Sequence, residues 1–125
     1  LASLIEAEAK DGSERTRISS VFHNRLARKM RLQCDPTVIY ALGGIERPLL
    51  RKDWEFDSPY NTYRIPGLPP GPICAPGEAS ISAALFPETT DYLYFMARGD
   101  GTHQFSKTLR EHEAAYRQTK SRSAH

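Results

Sequence analysis

Apolar residues recur three and four positions apart through the first quarter of the chain, the spacing of a helix with one buried face. Leu1, Leu4, Ile5 and Ala9 make the first stripe, from Leu1 to Lys10, and Asp11-Gly12 stops it. A second helix is predicted from Ser13 to about Lys29. Ile18, Val21, Phe22 and Leu26 form its apolar face, with Arg15, Arg17, Asn24 and Arg28 on the others. Asp35-Pro36 then reads as an N-cap residue followed by proline at the first helical position. That helix carries Val38, Ile39 and Leu42 and ends at Gly43-Gly44.

The periodicity disappears between Leu49 and Gly77, where proline and glycine gather. Proline fixes its own φ and pushes the preceding residue toward extended backbone, so such a loop loses little entropy on ordering. Trp54, Tyr60 and Tyr63 argue that this one is ordered. A short helix follows from Glu78 to Phe86, closed by Pro87. Tyr92 to Ala97 reads as a strand, Gly99-Asp100-Gly101 as a turn and Thr102 to Ser106 as the returning strand. A last helix starts at Thr108, with Glu111 completing a capping box, and fades into the polar tail Ser121 to His125. The fold class is α+β: mostly helical, with a small antiparallel hairpin and a long ordered Pro/Gly-rich loop.

Length and charge narrow the picture. At 125 residues the chain fits one domain. A formal charge of +2, without a basic stripe interleaved with aromatics, argues against nucleic acid as partner. No apolar run approaches the roughly 20 residues that span a bilayer. The chain opens at Leu1, without Met, directly in a helix, so it reads as a fragment whose targeting segments lie elsewhere. Cys34 and Cys74 stand either as two unpaired thiols or as one disulfide.

The histidines 23, 103, 112 and 125 have no zinc spacing among themselves or with the cysteines, and neither a phosphate loop nor a serine elbow occurs. Carboxylate chemistry remains. Glu6 follows Leu4-Ile5, where partial burial would keep it protonated; alternatively it pairs with Lys10 on a solvated face. Glu8 is expected to point roughly opposite Glu6, toward solvent. Asp35 serves as a second carboxylate or as an N-cap. Tyr60, Asn61, Tyr63 and Gln33 have the aromatic and amide groups suited to sugars.

Taken in order, several segments resemble the YceG-like family, whose characterised members are endolytic murein transglycosylases. They are residues 1–8 (LASLIEAE), 21–26 (VFHNRL), 30–40 (MRLQCDPTVIY), the loop from Ser58-Pro59-Tyr60-Asn61-Thr62-Tyr63 to Gly77, 92–95 (YLYF) and 101–106 (GTHQFS). The resemblance implies a lytic enzyme that cleaves the glycan between N-acetylmuramic acid and N-acetylglucosamine and leaves a 1,6-anhydro end. It implies Glu6 as acid/base, in a groove lined by Gln33, Asp35, Tyr60, Asn61, Thr62, Tyr63, His103 and Phe105. No cofactor or metal is expected, since the residues show no pattern for either. Peptidoglycan strands are the expected partner, with peptidoglycan synthases nearby. It places the enzyme outside the cytoplasmic membrane, anchored by a helix upstream of Leu1 that precedes a LysM-like subdomain. Cys34 stands where a small hydroxyl residue is expected and Cys74 where a small residue is usual. Both flank the groove, which strengthens the case for a Cys34–Cys74 disulfide. His23 is also unusual at its position and fits a helix surface. The competing readings are a peptidoglycan-binding module without activity and a lysozyme-like hydrolase using Asp35.

Overall fold

The computed structural model describes residues 1–123. Five helices and one hairpin follow one another: α1 (Ala2–Glu8), α2 (Arg15–Ala27), α3 (Asp35–Ala41), α4 (Glu78–Leu85), β1 (Tyr94–Ala97), β2 (His103–Ser106) and α5 (Leu109–Ser123). Single 3-10 turns occupy Gly12–Glu14 and Arg51–Glu55. The strands pair antiparallel, with Phe95 opposite Phe105 and Ala97 opposite His103. The α+β architecture expected from the sequence is present.

The boundaries that moved did so for local reasons. Asp11 Oδ1 accepts the Ser13 N–H at 3.0 Å, which tightens residues 12–14 and delays α2 to Arg15. Cys34, in extended geometry, takes the N-cap position of α3, and Asp35 falls inside the first turn with its carboxylate turned elsewhere. Asp53 accepts the Leu50 N–H at 2.6 Å and Arg47 at 2.7 Å, folding a turn into a stretch expected to be irregular. β1 begins two residues late because side chains of α2 take the carbonyls before it. Asn24 donates to Thr90 and Tyr92, both at 2.9 Å, and Arg25 Nε donates to Leu93 at 2.6 Å. Thr108 Oγ1 caps α5 through the Glu111 N–H, while Glu111 answers at Lys107, one residue early for a capping box. Helix α5 runs through Ser121 to Ser123 where a fade was expected; Ala124 and His125 lie outside the described residues.

One apolar core holds these elements. Leu4 and Ile5 of α1, Ile18 and Phe22 of α2 and Ala83 of α4 are buried together with Leu32 and Cys34. Phe95 brings β1 onto this core, its ring edge-on to Phe22 at 5.7 Å. Helix α5 packs against both strands of the hairpin. His23, expected on a surface, is half-buried and hydrogen-bonds the Ala84 carbonyl at 2.8 Å, linking α2 to α4.

Candidate active site

A cleft of about 760 Å³ opens where the end of α1 meets the start of α3, the hairpin and α5. Ala7, Glu8 and Lys10 form one side and Gln33, Asp35 and Ile39 another. Tyr63, Met96, His103, His112 and Tyr116 contribute to the rest. A second hollow of about 480 Å³ shares Arg25, Gln33, Tyr63, Phe95, His112 and Tyr116 with the first, so the two read as one elongated groove.

The carboxylate that α1 brings into this groove is Glu8. Burial pushes it up to about 7 from a usual 4.5, against a hydrogen bond from the Cys34 thiol that favours the charged form. The Asp35 charge adds to the upward shift, while His103 and Lys10 oppose it. Cys34 Sγ donates to Glu8 Oε1 at 3.3 Å. Opposite stands His103, whose Nδ1 lies 3.0 Å from Glu14 Oε1 and whose N–H donates to Glu14 Oε2 at 3.1 Å. With Nδ1 and the backbone both tied to Glu14, the ring is held in one orientation. Asp35 Oδ1 accepts from Tyr63 Oη at 2.5 Å and from Trp54 Nε1 at 3.0 Å. Gln33 adopts a left-handed conformation, φ 49°, unusual outside glycine. Its N–H donates to the Thr62 carbonyl, and Arg25 Nη1 lies 3.4 Å from its Oε1.

Of the residues expected in the groove, Gln33, Asp35, Tyr63 and His103 line it. The others do not, and each has another task. Glu6 Oε1 accepts the Gly77 N–H at 2.6 Å, and its other oxygen lies 4.0 Å from Arg15. It closes the Pro/Gly-rich loop against α1, and a Cβ at Gly77 would sit 3.1 Å from that carboxylate. Asn61 is fully buried: its amide donates to the carbonyls of Trp54 and Phe56, and its Oδ1 accepts the Tyr63 N–H. Thr62, also buried, accepts the Cys34 N–H at 2.8 Å and pairs with Thr37 at 2.9 Å. Tyr60 packs on Tyr40 at 4.8 Å. Phe105 packs between Tyr92 and Phe95, with Arg17 over its ring. Of the two readings open for the cysteines, two unpaired thiols or one disulfide, the structure has the unpaired pair. Cys34 is buried and bonded to Glu8, whereas Cys74 is exposed and donates to the Ser3 carbonyl. Among the described residues no group of histidines, cysteines and carboxylates could hold a metal ion.

The family model of the YceG-like family matches residues 1–118. The chain belongs to the YceG-like family. It is 56% identical over 115 residues to an endolytic murein transglycosylase of Bacillus subtilis, covering 92% of this chain and 32% of that protein. An endolytic murein transglycosylase of Streptococcus pneumoniae is 37% identical over 102 residues, covering 78% of this chain and 18% of that protein. The crystal structure of a yceG-like protein from Listeria monocytogenes superposes with a TM-score of 0.87 at 56% identity, covering 91% of this chain and 38% of that one. This chain thus spans at most about a third of the length of the curated relatives it matches.

Two groove residues of this YceG-like chain were legible and missed. Glu8 stands seven residues after Leu1 and three after Ile5, on the apolar stripe itself, so it follows that stripe inward rather than facing solvent. Arg25 stands likewise seven after Ile18 and three after Phe22, and it is buried. A charge on the apolar face of an amphipathic helix is the shared signal. His112 and Tyr116 gave none, because α5 reaches the groove only through tertiary packing.

Proposed function

We propose that this chain is the catalytic unit of a peptidoglycan lytic transglycosylase, with Glu8 rather than Glu6 as its acid/base. The observation that carries this reading is a single groove carboxylate raised to about 7 by burial. Such a group is substantially protonated near neutral pH and can donate to a departing oxygen. Hydrolytic glycosidases ordinarily need two free carboxyl groups. Here the other acids along the groove are Asp35, whose Oδ1 accepts from Tyr63 and Trp54, and Glu113 on α5, which lines the second hollow away from Glu8. One carboxylate suffices if the sugar supplies its own nucleophile.

The steps follow from that arithmetic. Glu8 protonates the glycosidic oxygen as the bond to C1 of the muramic sugar breaks. The C6 hydroxyl of the same sugar attacks C1, and the Glu8 carboxylate takes its proton, leaving a 1,6-anhydro end and a neutral acid. No water is consumed. Acid/base steps of this kind contribute about 10²–10⁴-fold, and an intramolecular nucleophile adds a proximity gain. Gln33, with its oxygen toward Arg25, keeps its amide N–H groups for an acetamido carbonyl of the glycan. Action on murein places the enzyme outside the cytoplasmic membrane. The anchor helix, the LysM-like unit and contact with peptidoglycan synthases belong to the same proposal.

Digestion of purified sacculi followed by mass spectrometry tests the assignment. Glu8→Gln is expected to abolish anhydro-ended products, and Glu6→Gln to retain them with a lower melting temperature. Loss of activity in Glu6→Gln alone would reverse the roles. Reducing ends in place of anhydro ends would establish a hydrolase, and strand retention without any cleavage a binding module.

A further inference from the structure

We propose that Cys34 is a positioning residue for the groove acid, its thiol donating to Glu8 Oε1 from a backbone clamped by the long loop. The inference rests on the reading of Glu8 as acid/base. Cys34 is 1% exposed, and its Sγ lies 3.3 Å from Oε1, a normal length for a sulfur donor. Its backbone cannot drift. The N–H donates to Thr62 Oγ1 at 2.8 Å, its carbonyl accepts Thr37 Oγ1 at 2.6 Å, and the two threonines bond each other at 2.9 Å. The thiol is thereby held in place against Oε1 of the carboxyl.

The chemistry of a thiol sets the consequence. S–H is a weak donor, so it stabilises the carboxylate less than a hydroxyl would. The thiol itself is pushed well above its ordinary range, by burial and then by Glu8, so it stays protonated and keeps its hydrogen to donate. The other groups facing Glu8 are Asp35 on α3, His103 on β2 and Lys10 beyond α1, while Tyr63 from the loop senses its charge. Of these, Cys34 is the group with a direct hydrogen bond to the carboxyl. A weak donor at this point allows Glu8 to remain an acid near neutrality while still fixing its rotamer.

Titration of the Glu8 side-chain carboxyl by ¹³C NMR in the full chain, without substrate, tests this independently of catalysis. Cys34→Ala is expected to raise the midpoint by about half a pH unit, and Cys34→Ser to hold it at or below that of the parent. The alkaline limb of the pH–activity profile on sacculi should move in the same directions. Coincident titrations in all three proteins overturn the inference, whatever the activity. Should Cys34→Ala lose its fold, Cys34→Ser alone decides: a midpoint above the parent's overturns the inference. Retained activity in Glu8→Gln would instead remove the acid/base reading and leave the titration result standing.

Discussion

Glu8 couples the groove to stability through its proton. The folded chain holds a proton up to about pH 7 that the unfolded chain releases near 4.5. Between these values the native state binds more protons, so stability falls as pH rises through the window and levels off above about 7. The coupling is at most about 3 kcal/mol, and less to the extent that water reaches the carboxyl. Glu8→Gln cannot ionise. Its melting temperature relative to the parent is therefore expected to rise steadily from pH 4.5 to 7.5, and calorimetry at four or five pH values reads this directly. A constant difference across that range would mean that the carboxyl is not desolvated. Folding and the acid step thus favour the same form: ionising Glu8 costs folding energy, which keeps its proton in place toward neutral pH.

Arg25 shows how one side chain can join elements. It leaves the apolar face of α2, donates to the carbonyls of Leu93 and Arg31, and lies 5.0 Å from the centre of the Tyr94 ring. One guanidinium therefore ties the start of β1 to the segment that leads into α3. Arg25→Ala leaves those carbonyls unpaired and is expected to cost about 3 kcal/mol, measured by urea unfolding. Arg25→Lys should recover less than half of this, because an ammonium cannot reproduce the fork. The long loop is joined in a similar way through Thr62. Thr62→Val keeps the shape and removes the acceptor for the Cys34 N–H, an expected loss of about 1–3 kcal/mol. A residue that only touched sugar would weaken glycan binding and leave the melting temperature unchanged.

The molecule as a whole assembles its groove from six separated stretches of chain: the end of α1, Arg25 of α2, the start of α3, Tyr63 of the long loop, the hairpin and α5. Periodicity and turn chemistry in the sequence were enough for the elements, because a helix or hairpin is a local object whose apolar spacing and caps are written residue by residue. The order of helices, the hairpin and its Gly99–Gly101 turn, and the ordered proline loop all followed from that. Likeness of segments was enough for the family. That a groove opens beside Glu8 is a different kind of question. Glu6 and Glu8 are two residues apart, and roughly 200° of helix rotation separates them, so the stripe alone turns Glu8 inward. What it meets there depends on where α3, the hairpin and α5 pack around the end of α1. Asn61 and Thr62 have the groups of sugar ligands, yet packing turned them inward to hold backbone. Cys34 and Cys74 could have bridged, but the fold gave each thiol a different partner. Local pattern specifies what a segment becomes; the burial that raises Glu8 and the clamp beneath it exist only once distant segments have met.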